Sequence, residues 1–516
     1  MYYAKNPILP GFRPDPSICR VGEDYYLVTS SFAYFPGVPI YHSRDLAHWE
    51  QIGNILNRES QLPLKGCGHS QGIFAPTIRY HEGTYYMITT NISAGGNFVV
   101  TAKAPEGPWS EPYYLGEAAQ GIDPSLFFDT DGACYYVGTR PNQKGVRYNG
   151  DWEIWVQKLD LATMQLTGES HKIWKGAMHH GIWPEGPHLY KKGDYYYLVH
   201  AEGGTGMEHA ICTARSKSVF GPFEGSPCNP IFTHRHLGAS YPVVMAGHGD
   251  LVEDGKGNWY IVMLATRRVE GYGNTGRDTF LAKVSWENDW PVINHGIGKL
   301  EEKVELQGEP QYPMAEEHSW HFYRNKLPDA FLTLRSAGTE VYSLTQRSGS
   351  LRLFTSPFKL TDKETPAYVC TRQQEYDFCA DTVMEFQAKS GTEEAGMAIV
   401  CDESNHIRFV KNYRNQLPYV SLIVCFNGKE TILAQEQTEE GTLEIRVVSH
   451  GMYADFYCCT KGKWCPVALH VDMRKLSTEE AGGFTGCTIG MYASANGEKT
   501  DNFADFFYFS CEETEP

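Results

Sequence analysis

The sequence predicts an all-β protein, with a five-bladed β-propeller over residues 1–300, a linker over 301–318 and a β-sandwich over 319–516. Three observations predict it. One hairpin phrase recurs five times in the first half. The chain is rich in Tyr, Trp, Phe and Gly and has few long amphipathic runs. From about Ser319 the phrase gives way to short alternating strands.

The phrase is a turn-forming or acidic residue, a short apolar strand, a polar turn and an aromatic strand. Its copies begin at Asp15-Pro-Ser-Ile, Ala75-Pro-Thr-Ile, Asp123-Pro-Ser-Leu, Glu185-Gly-Pro-His-Leu and His248-Gly-Asp-Leu. Turns such as His81-Glu82-Gly83, Asp131-Gly132 and Lys192-Gly193-Asp194 supply the positive-φ positions that hairpins need. The copies lie about 50–60 residues apart, room for a four-stranded sheet and its connections. Five such sheets set radially make a propeller. The innermost strand of each blade then starts near one axis. Asp15, Ala75, Asp123, Glu185 and His248 are therefore expected around one funnel. An Asp before Pro is often a mere turn starter. Three acidic residues at equivalent points of a radial repeat repel one another, a cost that a function would explain.

The pattern fades after Trp286-Glu-Asn-Asp-Trp-Pro291, and a polar stretch to about Glu317 reads as the linker. Beyond it, strands are expected at Leu351-Arg-Leu-Phe354, Thr382–Phe386, Met397–Val400, Val420–Val424, Leu443–Val448, Ile489–Tyr492 and Ala504–Phe509.

Bulk properties narrow the function. At 516 residues the chain can bury two cores. Its net charge of −17 without clustered Lys/Arg argues against nucleic acid and against anionic membranes, and suits a neutral substrate. There is no apolar signal segment and no long uncharged run, so a cytoplasmic location is expected. The 14 cysteines include no CxxC pair and read as reduced thiols.

Paired carboxyl groups suit glycoside hydrolysis, in which one must be protonated to assist the leaving oxygen and the other ionised to activate water or attack. Glu185 lies among apolar neighbours in Ile182-Trp-Pro-Glu-Gly-Pro187, which with a nearby Asp123 would raise its pKa and suit it as the acid. Asp15 sits beside Arg13, a cation expected to keep it ionised.

The segments Asn6–Ile18, Gly121–Phe127 and Glu185–Leu189, in this order and at these intervals, resemble the three signatures of glycoside hydrolase family 43, which includes β-xylosidases, α-L-arabinofuranosidases and arabinanases. The resemblance spans essentially the whole chain. It implies a five-bladed propeller, inversion at the anomeric carbon, Asp15 as general base, Glu185 as general acid, and Asp123 as the residue that tunes and positions the acid. It also implies that Phe32, in Thr29-Ser-Ser-Phe, borders the terminal-sugar subsite. Phe74, in Gly72-Ile-Phe-Ala-Pro76, stands where related β-xylosidases carry Trp. Arg277, in Gly276-Arg-Asp-Thr279, corresponds to an arginine that holds sugar hydroxyls, the alternative being a surface loop residue. His248 resembles a histidine that in many members contacts a calcium ion or its waters at the propeller axis, the alternative being a satisfied buried imidazole. No cofactor is implied for the chemistry itself. The second domain would be jelly-roll-like. Its segment Gly482-Gly-Phe-Thr-Gly486 resembles a loop that presents a Phe, here Phe484, to the propeller mouth. Closing the funnel on one side favours removal of single terminal sugars.

The reading is an inverting exo-glycosidase releasing terminal D-xylose from β-1,4-xylo-oligosaccharides. The alternative is an α-L-arabinofuranosidase, or a dual enzyme, on arabinoxylan-derived oligosaccharides. A non-catalytic glycan-binding propeller and a retaining five-bladed fructosidase are the readings from other classes. The partner expected is a small oligosaccharide, with homo-oligomerisation left open.

Overall fold

A computed structural model describes residues 1–178, 181–312 and 316–514. Five antiparallel four-stranded sheets follow one another in the first part. Blade I comprises Ser17–Val21, Asp24–Val28, Gly37–Ser43 and Glu50–Leu56, and blade II Thr77–His81, Thr84–Asn91, Gly96–Ala102 and Tyr113–Tyr114. Blade III comprises Ile122–Phe128, Cys134–Pro141, Trp152–Asp160 and Gln165–Trp174. Blade IV comprises Glu185–Lys192, Tyr195–Glu202, Ala210–Ser216 and Glu224–Gly225, and blade V Val243–Glu253, Trp259–Arg267, Arg277–Glu287 and Trp290–Ile293. The first strands of the five sheets touch in a closed ring, blade V against blade I included. This is the expected propeller, and each repeated phrase forms the two inner strands of its blade.

The chain ends of the propeller are stitched together by backbone pairing. Tyr2–Lys5 pairs with Lys303–Leu306, in which Val304 and Leu306 are buried. The stretch 301–318, expected as a linker, therefore opens with a strand. Its polar alternation hides a one-sided burial against the N-terminus, and residues 313–315 lie outside the described residues. Further along, Leu9 and Thr279 exchange backbone hydrogen bonds, Gly11 N–H donates to Asp278 Oδ1 at 2.6 Å, and Arg13 N–H donates to the Arg277 carbonyl at 3.1 Å. The segment carrying Asp15 is thus zipped along the strand carrying Arg277, 262 residues away.

The second part is a sandwich of an eight-stranded and a six-stranded antiparallel sheet. Inward residues of both, among them Val369, Met384, Met397, Phe409, Ile445, Phe456, Met491 and Phe506, form one core. Every strand expected from the alternation is present. A second apolar cluster crosses between the domains and joins Phe12, Phe32 and Tyr34 to Leu332, Leu334, Tyr368, Val400 and Tyr492. Tyr34–Phe35 also pairs with Thr333–Leu334. Arg335, buried at this seam, donates from Nε to the Cys67 carbonyl at 2.6 Å and from Nη2 to Glu403 Oε1 at 2.5 Å. Shared apolar burial and buried ion pairing fix the sandwich against the propeller mouth. The cysteines are unbridged, most of them buried. No helix among the described residues is long and apolar enough to cross a membrane.

Candidate active site

The inner strands bring Asp15, Asp123, Glu185 and His248 together around the axis. Asp15, Asp123 and His248 all hold left-handed backbone, with φ of 54°, 51° and 48°. Such torsions cost an L-residue roughly 1–2 kcal/mol each, and they cluster here at one end of the ring. In blades I and III the acidic residue directly precedes Pro16 or Pro124. In blade IV the repeat is offset: Gly186 precedes Pro187 and takes the left-handed position at φ 55°, while Glu185 stands one residue earlier. Glu185 is therefore not the strict equivalent of Asp15 and Asp123, as the repeat had implied. The register is irregular between Glu185 and His188 as it is between Ile122 and Ser125 in blade III, so Glu185 takes the place of Ile122 and Gly186 that of Asp123.

Gly186 is required there on a second ground. A Cβ at this position would lie 2.9 Å from Cε1 and Nε2 of His248. Its N–H donates to Asp123 Oδ2 at 3.1 Å, which ties the backbone beside Glu185 to the second carboxylate.

Asp15 is buried and bonded on both oxygens. Arg277 Nη1 donates to Oδ1 at 2.9 Å and the Ser30 hydroxyl to Oδ2 at 2.5 Å, with His248 Nδ1 3.9 Å from Oδ1. Burial works against ionisation of Asp15, but Arg277, His248 and Ser30 together outweigh it and hold the carboxyl below its ordinary range. Arg13, expected in that role, points elsewhere. It bonds the Tyr41 hydroxyl at 2.9 Å and the Pro10 carbonyl, and faces Glu316. Residues two apart share a face only while the backbone stays extended, and the left-handed turn at Asp15, φ 54°, breaks that alternation, so Asp15 and Arg13 face different partners. Arg13 lines instead a cavity of about 1,010 Å³ between the domains, to which none of the three carboxylates contributes.

Glu185 behaves oppositely. Enclosure by protein, then the negative charges of Asp123 and Asp15, push its pKa well above the ordinary range, against the pull of Arg277. About 17% of the side chain stays open to the funnel. Asp123, buried and close to Asp15, is pushed up to about 6 by burial, with Asp15 adding to the rise and His248 opposing it. The three groups interact, so their titrations are those of one set.

Phe32, Phe74 and Phe484 converge on one another, with Phe32 fully buried. Phe32 and Phe484 rings stack at 6.2 Å, Phe74 meets Phe484 edge-on at 6.0 Å and Phe32 at 5.4 Å. The Arg277 guanidinium lies 5.8 Å from the Phe32 ring and 5.7 Å from that of Phe484. The sandwich loop is fastened to the propeller by Phe484 N–H to the Ser70 hydroxyl at 2.8 Å, Cys487 N–H to the Asn274 carbonyl at 2.7 Å and Arg277 Nη2 to the Phe484 carbonyl at 3.2 Å. Phe484 is the most exposed of the three rings, so one aromatic edge from the second domain faces the opening.

Ser30, Ser70, Thr205 and His209 were not singled out from sequence. Ser30 lies in the very segment that carries Phe32. Thr205, whose hydroxyl accepts from Arg277 Nη1 at 3.3 Å, and His209 sit in a Gly-rich turn without any distinguishing pattern.

Calcium takes six to eight oxygens, and the carboxylate that follows His248 in blade V has none to spare. The axial carboxylate is Asp250, two residues beyond His248, and it is saturated. Arg79 grips it with Nη1 to Oδ2 at 2.8 Å and Nη2 to Oδ1 at 3.0 Å, and Ser17, Ile18 N–H and Tyr190 complete the set. Arg79 Nη2 also donates to His188 Nδ1 at 3.0 Å. A guanidinium thus occupies the polar centre of the ring and supplies its positive charge.

The chain is similar to known proteins along nearly its whole length. Residues 4–291 match the family described as glycosyl hydrolases family 43, and residues 319–512 a β-xylosidase C-terminal concanavalin A-like domain. A protein of Butyrivibrio fibrisolvens named xylosidase/arabinosidase is 54% identical over 99% of this chain and 100% of its own length. A non-reducing-end α-L-arabinofuranosidase of Bacteroides ovatus is 38% identical over 98% of this chain and 94% of its own. The crystal structure of a xylan β-1,4-xylosidase from Bacillus halodurans superposes with a TM-score of 0.93 at 37% identity, over 99% of this chain and 100% of that one.

Proposed function

The chain belongs to glycoside hydrolase family 43, and from that premise we propose that it is an inverting exo-glycosidase releasing terminal D-xylose from β-1,4-xylo-oligosaccharides. The observation that carries the reading is the opposed environment of two carboxyls in one funnel: Asp15 is held ionised by Arg277, and Glu185 is held protonated by enclosure and by Asp123. Asp15 takes a proton from water as it attacks the anomeric carbon. Glu185 delivers its proton to the departing glycosidic oxygen. Asp123 keeps Glu185 protonated by its charge and, through Gly186 N–H, fixes the backbone on which Glu185 stands. Arg277, whose Nη1 is committed to Asp15 and Thr205 and whose Nη2 bonds the Phe484 carbonyl, keeps one Nη2 hydrogen for a hydroxyl of the terminal sugar, and Phe74 and Phe484 offer that sugar apolar surface with Phe32 buried behind them. The Phe484 loop walls the funnel and favours single-residue release from a chain end.

One observation favours a second substrate. Phe74 replaces the Trp of related β-xylosidases and leaves a smaller stacking face, which suits a furanose as well. Dual action on α-L-arabinofuranosides follows. The test is a hydrolysis panel of xylobiose, xylotriose and arabinose-decorated xylo-oligomers, with released monosaccharide quantified. Xylose from xylobiose supports the primary reading; arabinose release with xylobiose untouched replaces it by the second; turnover of none of them leaves a glycan-binding propeller.

A further inference from the structure

His209 is buried in the wall behind Glu185 and is used by no step above. Its Nδ1 lies 2.9 Å from the Met245 carbonyl, which can only accept, so Nδ1 carries the hydrogen. Burial, first of all, pushes the imidazole down to about 4, so the ring is neutral near pH 7 and Nε2 holds a lone pair. That Nε2 has no hydrogen-bond partner among the described residues, and it lies 3.9 Å from Glu185 Oε1. The ring is held in place: a Cβ on Gly247 would fall 2.5 Å from it, and the His209 carbonyl accepts from the Thr233 hydroxyl at 2.7 Å. A buried acceptor without a donor is costly, and the nearby neutral carboxyl is the donor within reach.

We propose that His209 is a positioning residue: in the free protein its Nε2 accepts the hydrogen of the neutral Glu185 carboxyl, and arriving substrate takes that hydrogen over. A small rotation of the Glu185 side chain closes 3.9 Å to hydrogen-bond reach, and such contacts often stand long before substrate binds. The bond favours the protonated acid between turnovers, because a hydrogen bond to the neutral form disfavours ionisation. Asp123, Asp15 and Arg277 face Glu185, and His248, Arg277 and Asp15 face His209; these charges are the same in all the variants below.

The inference rests on Glu185 being the acid, and the experiment separates the two. The pH profiles of kcat/KM, which reports the free enzyme, and of kcat, which reports the substrate complex, are measured on xylobiose for wild type, His209→Asn, His209→Gln and Glu185→Gln. In Gln, Oε1 can reach the place of Nε2; in Asn the side-chain oxygen stops at the place of Nδ1. His209→Asn is expected to lower the basic limb of kcat/KM by about 0.5–1 pH unit, the worth of one net hydrogen bond, while the kcat limb stays put and His209→Gln restores the profile. Equal behaviour of Asn and Gln, or an unmoved kcat/KM limb in Asn, overturns the role of His209. A basic limb that persists in Glu185→Gln overturns the assignment of the acid instead.

Discussion

Replacing Gly186 by Ala tests how tightly the site is built, with Gly193→Ala as its matched partner. Both glycines lie in blade IV with nearly equal left-handed torsions, φ 55° and 57°. An alanine there costs roughly 1–2 kcal/mol for the torsion, offset alike in both by the reduced freedom of the unfolded chain. The surroundings differ. At Gly193 a Cβ meets nothing within 4 Å, whereas at Gly186 it meets the His248 ring at 2.9 Å. Overpacking of a buried site costs about 1–3 kcal/mol, so Gly186→Ala should be less stable than Gly193→Ala by that amount. For a domain of this size the difference in melting temperature is about 2–6 °C. The ring can yield only by moving relative to Asp15, and the Gly186 N–H only by leaving Asp123. Gly186→Ala should therefore also lose about tenfold or more in kcat/KM, at least ~1.4 kcal/mol of barrier, with Gly193→Ala unaffected. Calorimetry and steady-state kinetics on the two variants are the assay. Equal melting temperatures and equal activity would refute the claim that Gly186 is fixed by its contacts with His248 and Asp123.

Three further outcomes follow from the same geometry. Glu185→Gln should slow xylobiose by about 10²–10⁴-fold, the usual worth of a general acid, yet spare aryl xylosides whose leaving groups need no protonation; an equal loss on both would remove Glu185 from that role. Arg277→Met removes the cation that holds Asp15 ionised, so the Asp15 pKa rises and the acidic limb of the kcat/KM profile moves to higher pH, because the base must be charged to work; a drop in kcat/KM with an unmoved acidic limb would confine Arg277 to sugar binding. Because Arg79 supplies the axial charge, prolonged dialysis against a chelator should leave activity and melting temperature unchanged, and a loss restored by calcium would contradict the reading of the axis.

Much of this was legible in the sequence because the propeller repeats itself. Asp15-Pro, Asp123-Pro and Gly186-Pro mark the same point of three blades, and the aromatic hairpins that follow are strongly patterned. Features set by distant partners were not legible. Arg13 stands beside Asp15 in sequence but bonds Tyr41, while Arg277 reaches Asp15 only because residues 9–13 pair along 277–279. The offset of Glu185 was visible in the spacing, since Gly186 and not Glu185 precedes the repeat's proline, but its consequence, a Gly186 N–H bonded to Asp123, was not. Edge strands such as Gln165–Trp174, Lys429–Gln437 and Lys463–Asp472 expose both faces and lack alternation. His209 gains its meaning only from a carbonyl and a carboxyl that folding sets on either side of it.

Water activation by Asp15 on the face opposite the proton donor fixes the stereochemistry of the product, so proton NMR of the first xylose released from a β-xyloside is the most direct measurement. The α-anomer should appear first and relax to the equilibrium mixture by mutarotation. Initial release of the β-anomer would mean that a carboxylate attacks the sugar itself, and the division of labour between Asp15 and Glu185 would be wrong.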